Sequence, residues 1–236
     1  MRILITGGAG FIGSHYTRSL LRGAYPGFED ARVTVLDKLT YAGNLANLAP
    51  VADHRNYRFV RGDIADEHLL AEVVPGHDVI VNFAAESHVD RSIADAGDFT
   101  TTNVLGTQRL LQAALEGGVG TFVQISTDEV YGSIAEGSWS ESRPLLPNSP
   151  YSAAKASGDL FCRAYARTHG LDVRVTRCSN NYGPHQYPEK VIPLFVTNLI
   201  DGRRVPSTAS GGTSANGCTS TTTAGASSSC WRRGPR

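Results

Sequence analysis

Three glycines, at positions 7, 10 and 13, confine this chain to a narrow set of folds. They follow Met1-Arg-Ile-Leu-Ile-Thr6, a short apolar, β-rich run that suits a strand buried on both faces. The run Gly7-Gly8-Ala9-Gly10-Phe11-Ile12-Gly13 then leads into a helical pattern over roughly 11–22. In a strand–loop–helix unit Gly7 permits the tight turn, Gly10 lets the backbone approach a pyrophosphate, and Gly13 lets the helix pack close to the sheet. The helix start, at Phe11 and Ile12, offers free amides and a partial positive charge to phosphates. A second strand pattern, Val33-Thr-Val-Leu-Asp37, ends in an acid. A carboxylate there holds the adenosine ribose hydroxyls and repels a 2′-phosphate, which favours NAD over NADP; Lys38 beside it argues the other way.

The rest of the chain alternates in the same manner. Strand patterns at 2–6, 33–37, 57–60, 78–83, 121–126 and 172–177 interleave with helical patterns near 11–22, 66–74, 97–117, 150–169 and 191–201. This predicts an α/β fold, a Rossmann-like doubly wound parallel sheet with its ligands at the carboxyl ends of the strands. Gly7, Asp37, Asp63, Ala84, Ser126 and Arg177 all fall at such ends.

Two motifs carry chemistry. Tyr151-Ser152-Ala153-Ala154-Lys155 sets a phenol and an ammonium one helical turn apart on one face. A free phenol, with a pKa near ~10, is a poor base at neutral pH; an ammonium beside it favours the phenolate. Ser126-Thr127-Asp128-Glu129-Val130-Tyr131-Gly132 adds a hydroxyl and two adjacent carboxyl groups at the end of the run from Thr121. Adjacent carboxyls shift each other's ionisation, so one can serve as acid and the other as base. Together they suggest redox chemistry at a hydroxyl, coupled to proton removal and loss of a leaving group. The loop from Gly132 to Asn148 reads as a lid.

Composition excludes other classes. With 22 basic and 22 acidic residues there is no charge field for nucleic acid, and no apolar run approaches the ~20 residues of a membrane span. No signal peptide is legible, and the four cysteines show no CxxC pairing. Buried reduced thiols in a cytoplasmic protein, with no metal site, are expected.

The motifs resemble the extended short-chain dehydrogenase/reductase superfamily, and within it the dTDP-glucose 4,6-dehydratase family. The match runs from residue 1 to about 206 through GGAGFIG, DKLTYAGN (37–44), GDI (62–64), AAESHVDRSI (84–93), TNVLGT (102–107), STDEVYG, SPYSAAKAS (149–157), RCSNNYGP (177–184) and PEKVIPL (188–194). Related sugar-nucleotide epimerases share the glycine loop and the Tyr/Lys pair but lack the Asp-Glu pair. The resemblance implies a lyase of deoxysugar biosynthesis that dehydrates a nucleotide sugar, dTDP-glucose, using NAD. Thr127, Asp128, Glu129, Tyr151 and Lys155 would be its catalytic set. It implies cofactor contacts from Gly7, Gly10, Phe11, Ile12, Gly13, Asp37, Lys38, Leu39, Thr40, Asp63, Ile64, Phe83, Ala84, Ala85, Ser87, Thr102 and Ser126, besides Tyr151 and Lys155. Ser87, Thr127, Asn180, Glu189 and Lys190 would face substrate, and the protein would be a homodimer. An NAD-dependent epimerase and a catalytically silent NAD-binding protein are the alternatives.

These readings divide the chain into an NAD-binding catalytic domain (1–177), the start of a substrate-binding region (178–206) and a low-complexity tail (207–236). After Pro206 the sequence is almost wholly Ser, Thr, Ala and Gly, which suits disorder. Read one base earlier, permitted codons for this stretch spell a string containing WLHVDD that resembles the family's continuation. The expectation is a slipped frame near codon 206, an incomplete C-terminal substrate domain, and reduced or absent activity.

Overall fold

The computed structural model describes residues 1–205 and 217–219. Six parallel strands, β1 (Arg2–Thr6), β2 (Arg32–Asp37), β3 (Tyr57–Arg61), β4 (Val79–Asn82), β5 (Thr121–Thr127) and β6 (Asp172–Cys178), form one sheet in the order β3-β2-β1-β4-β5-β6. The strand order reverses between β1 and β4, and that switch point opens a crevice above the carboxyl ends. The helices are α1 (Phe11–Leu21), α2 (Glu67–Val73), α3 (Val89–Ala94), α4 (Gly97–Phe99), α5 (Thr107–Glu116), α6 (Pro150–His169) and α7 (Val191–Ile200).

The strands are apolar on both sides because both sides are covered. Ile3 and Ile5 of β1 join one core with Tyr16 and Leu20 of α1, while Leu4 joins the opposite core with Leu70, Leu110, Leu111 and Phe122. Each such side chain contributes about 1.5–3 kcal/mol on burial. One row across the sheet is polar instead. Thr6, Asn82 and Gln124 stand in register on β1, β4 and β5, all at most 1% exposed. The Thr6 hydroxyl donates to Asn82 Oδ1, and Asn82 Nδ2 donates to Gln124 Oε1 at 2.8 Å. A slip of one residue would leave these groups buried and unpaired, so the row fixes the register beneath the crevice.

The helical pattern over 97–117 resolves into α4, a π-helical stretch (Thr100–Gly106) and α5. This widened turn brings the buried Asn103 onto the backbone of Glu86, donating to its carbonyl at 2.9 Å and accepting its N–H at 3.0 Å. Periodicity did not reveal α3, too short for the signal, nor the strand β7 (Asn180–Tyr182). Within the compositional tail, β8 (Gly217–Thr219) pairs with β7 in parallel. The other tail residues, and the expectations resting on them, lie outside the described residues. Helix α7 buries none of its residues; Val191, Leu199 and Ile200 are all exposed. Among the described residues no helix is long and apolar enough to cross a membrane, and Cys162 is a buried free thiol.

Candidate active site

The glycine loop is shaped by contacts only glycine allows. Gly7 has φ +65°, and a Cβ there would lie 2.5 Å from the Ala84 backbone nitrogen. At Gly13 a Cβ would lie 2.3 Å from the Gly7 carbonyl oxygen, so the helix packs directly on the loop. A Cβ at Gly10 would meet only that same oxygen, at 3.3 Å, and otherwise points into open space. Gly10 therefore answers to whatever enters the crevice rather than to the fold. It is also the N-cap of α1, with no side-chain cap and no acid in the first turn, which leaves the helix amides free.

The crevice has a volume of about 640 Å³. Its wall includes Gly7, Gly10, Phe11, Ile12, Gly13, Asp37, Lys38, Thr40, Asp63, Ile64, Phe83, Ala84, Ala85, Ser87 and Thr102. The same wall includes Ser126, Thr127, Glu129, Tyr151, Lys155, Asn180, Glu189 and Lys190. Two expected residues are not in the wall. Leu39, at φ +60°, packs its side chain on the first core instead. Asp128 leans on Thr127, whose hydroxyl donates to Asp128 Oδ1 at 3.4 Å. Trp139 and Leu145 of the loop from Gly132 to Asn148 pack on Val130, Tyr131 and Ala156.

Local sequence explains how the groups are held. Ser149 caps α6, accepting from the Ser152 N–H at 3.1 Å, while the Ser152 hydroxyl accepts from the Ser149 N–H at 3.0 Å; Pro150 opens the helix. Thr127 ends β5 and caps the turn Asp128–Tyr131 by accepting from the Glu129 N–H at 3.2 Å. Asp37 accepts from the N–H groups of Ala9, at 2.9 Å, and Leu39, at 2.8 Å, and so ties β2 to the glycine loop. Lys38 is paired with Asp63 at 2.7 Å.

Burial dominates the electrostatics here. The Lys155 ammonium, buried, donates to the Ile125 carbonyl oxygen at 2.6 Å, and burial lowers its pKa. Tyr151 is pushed above the usual phenol range, first by burial, then by Glu129 and Cys178, against the Thr127 hydroxyl beside it. Asp128 and Glu129 are both raised, chiefly by burial; Glu129 is raised further by Asp128 and lowered by Lys190. Behind them Asp159, buried on α6, pairs with Arg177 at 2.8 Å, and Arg177 donates to the Tyr131 hydroxyl at 2.8 Å.

The outer wall was not legible beforehand. The Arg91 guanidinium lies 3.9 Å from the Tyr41 ring centroid and 2.9 Å from Glu189, and Tyr41 meets Tyr187 edge-on at 5.4 Å. Lys190 donates to the Ser87 carbonyl at 2.7 Å. All of these but Tyr187 sit inside the quoted motifs, and nothing in their spacing signals that they meet.

Sheet order, glycine loop and crevice define a Rossmann-type α/β protein with its functional groups at the switch point. The pattern of the family described as GDP-mannose 4,6 dehydratase matches residues 4–215, and the chain belongs to that family. It is 66% identical over 206 residues to a dTDP-glucose 4,6-dehydratase of Streptomyces niveus, covering 87% of this chain and 61% of that protein. A Mus musculus dTDP-D-glucose 4,6-dehydratase is 47% identical over 206 residues, covering 86% of this chain and 57% of that one. The crystal structure of a Streptomyces venezuelae dTDP-glucose 4,6-dehydratase with NAD bound superposes with a TM-score of 0.97 at 60% identity, over 99% of this chain and 73% of that one. A Bacillus cereus UDP-glucuronic acid 4-epimerase with NAD gives 0.92 at 26% identity, over 100% and 74%. The chain thus spans about three-fifths of the length of curated relatives such as the S. niveus protein.

Proposed function

We propose that this chain is the NAD-binding and catalytic part of a nucleotide-sugar 4,6-dehydratase that converts dTDP-glucose to its 4-keto-6-deoxy product. The observation that carries the reading is the convergence of Thr127, Glu129, Tyr151 and Lys155 on the same crevice as the glycine loop. The residues fit the cofactor: the cradle at Gly7 and Gly13 admits no side chain, and the uncapped α1 amides face the place of a pyrophosphate. Asp37 would take the adenosine ribose. Pairing of Lys38 with Asp63 occupies the one charge that argued for a 2′-phosphate, which supports NAD over NADP.

Bound NAD supplies a hydride acceptor for carbon 4 of the sugar and returns the hydride to carbon 6. Thr127 orients the 4-hydroxyl, and Tyr151 removes its proton. The new ketone acidifies the proton on carbon 5, which Glu129 takes; burial and the neighbouring Asp128 raise its pKa, which makes its carboxylate a stronger base. Asp128, also raised, protonates the departing 6-hydroxyl, turning about its side-chain bonds from its rest against Thr127, and Glu129 gives its proton back to carbon 5 as carbon 6 is reduced. Ser87, Asn180, Glu189 and Lys190 hold the nucleotide sugar.

On this reading residues 1–177 form the cofactor-binding and catalytic unit and 178–206 begin the substrate-binding region. The protein works in the cytoplasm as a homodimer, for which Leu160 and Phe161, both exposed on α6, supply an apolar face. Incubation with NAD and dTDP-glucose, followed by the alkali absorbance of a 4-keto sugar, tests the activity. In a protein extended to the length of its relatives, with the substrate-binding region complete, the parent gives the signal and Tyr151→Phe does not; equal signals from both would remove Tyr151 from the role of base.

A further inference from the structure

Most arginines on the crevice side of the sheet are paired with acids: Arg91, Arg109 and Arg177 each hold a carboxylate within 2.9 Å. The opposite end is different. At the amino ends of β1, β2 and β3 a second depression, of about 380 Å³, is walled by Arg2, Arg32, Arg55 and Arg58, with His77 and Glu72 beside them. Among the described residues none of these four guanidinium groups has an acid within ion-pairing distance. The nearby Asp78 is engaged by the backbone, accepting from the Arg2 N–H at 2.6 Å.

The sheet register packs the charges together. Arg2 stands beside Arg32, and Arg58 stands beside Thr34, two residues along from Arg32. Side chains alternate along a strand, so Arg2, Arg32, Thr34 and Arg58 project to one face. Like charges on adjacent strands destabilise a sheet. A chain with 22 basic and 22 acidic residues is not forced into such an arrangement by its composition. Burial holds His77 below its ordinary range, Arg2 and Arg58 push it further down, and a Val74 carbonyl opposes them. Its ring also meets the Thr34 hydroxyl at 3.0 Å. Four unpaired cations in one hollow are a local conflict of the kind expected at a functional site.

We propose that this hollow binds the phosphate chain of a di- or triphosphate, gripped by Arg2, Arg32 and Arg58 from the sheet and Arg55 from the loop before β3. Guanidinium forks match phosphate oxygens two at a time. Neighbouring strands lie about 4.8 Å apart, so arginines on adjacent strands suit successive phosphoryl groups rather than one isolated anion. The volume falls within the usual ~300–1,000 Å³ of small-molecule sites. A strand length of roughly 17–20 Å separates the hollow from the glycine loop, so the two sites fill independently.

Amide NMR of the full chain, titrated with inorganic triphosphate and with chloride at matched ionic strength, tests the proposal. Saturable shifts at Asn56, Gly76 and His77 with triphosphate alone are expected; shifts at Gly10 and Gly13 report the other crevice and are scored apart. Arg32→Ala/Arg58→Ala should weaken the first set about tenfold or more, equivalent to ~1.4 kcal/mol, and leave the second unchanged. A parallel titration with ATP separates the sources. Equal affinity means the phosphate chain alone is read, and tighter binding means the nucleoside contributes. Without ligand the double variant should melt at or above the parent temperature, because repulsion is relieved. Absent shifts at the three amides, shifts matched by chloride, affinity unchanged in the variant, or a variant that melts markedly lower would each overturn the proposal.

Discussion

Lys155 bolts α6 to β5 by donating to the carbonyl oxygen of Ile125 at 2.6 Å, two residues before Thr127. The lysine of the Tyr151/Lys155 pair thus also ties the helix that carries Tyr151 to the strand that ends in Thr127. Lys155→Met would remove a buried charge along with its partner contact. Replacing a buried ion by an apolar group of similar length is often near neutral for stability. Turnover should nonetheless fall about 10²–10⁴-fold while the melting temperature moves by only a few degrees. Calorimetry alongside steady-state kinetics checks the split; a large loss of stability would make the lysine chiefly structural.

The paired carboxyls make a pH-dependent prediction. Both Asp128 and Glu129 are raised, so the folded state keeps protons that the unfolded chain has released. Their favourable contribution is complete below the unfolded carboxylate range near ~4 and is lost as pH rises through the folded values. Glu129→Gln and Asp128→Asn should therefore melt higher than the parent near pH ~7, with the gap closing towards pH ~4. Melting curves across that range decide it, and a gap that widens on acidification would be the wrong sign.

The same two variants should divide the chemistry. With dTDP-glucose, both should still show reduced nicotinamide absorbance, because oxidation at carbon 4 precedes their steps. Glu129→Gln should slow loss of the carbon 5 proton, and Asp128→Asn should slow departure of the 6-hydroxyl. No absorbance in either variant, with folding confirmed, would contradict this order of events.

Behind the site, Asp159 and Arg177 form a pair whose acid is only 1% exposed. Arg177→Leu leaves that acid buried without its partner and should cost ~3–5 kcal/mol. For a chain of this size that lowers the melting temperature by roughly 10 °C. Asp159→Leu/Arg177→Leu should recover most of the loss, since neither charge is then stranded. Equal destabilisation by the single and double variants would show that the pair is not the cause.

Much of this was readable in the sequence, for definite reasons. Strands such as Arg2–Thr6 and Thr121–Thr127 are apolar runs ended by small or polar residues, and both cores confirm why. Gly7 and Gly13 were legible because backbone geometry forbids any other residue there. The contact of Lys155 with the Ile125 carbonyl was not legible, because i, i+4 spacing fixes which face a lysine occupies but not where its long side chain ends. Leu39 was misplaced for a similar reason: a positive φ turns it from the crevice onto the core. The meeting of Tyr41, Arg91, Tyr187 and Glu189 joins three distant segments and exists only after folding.

The glycine loop separates fold from ligand. Gly13→Ala forces a Cβ to 2.3 Å from the Gly7 carbonyl and should both unfold the loop and abolish NAD binding. Gly10→Ala meets nothing closer than 3.3 Å and should melt within a few degrees of the parent, yet bind NAD at least tenfold more weakly. Calorimetric titration with NAD distinguishes them; full affinity in Gly10→Ala would mean that no phosphate approaches that backbone.

The central claim is that one crevice oxidises carbon 4, eliminates water and reduces carbon 6 of the same sugar. It is tested most directly with dTDP-glucose carrying deuterium on carbon 4, incubated with NAD and the protein extended to the length of its relatives, and read by NMR of the product. The account predicts a 4-keto-6-deoxy sugar with the deuterium on carbon 6. Deuterium still on carbon 4, in a sugar inverted there or unchanged, would contradict it.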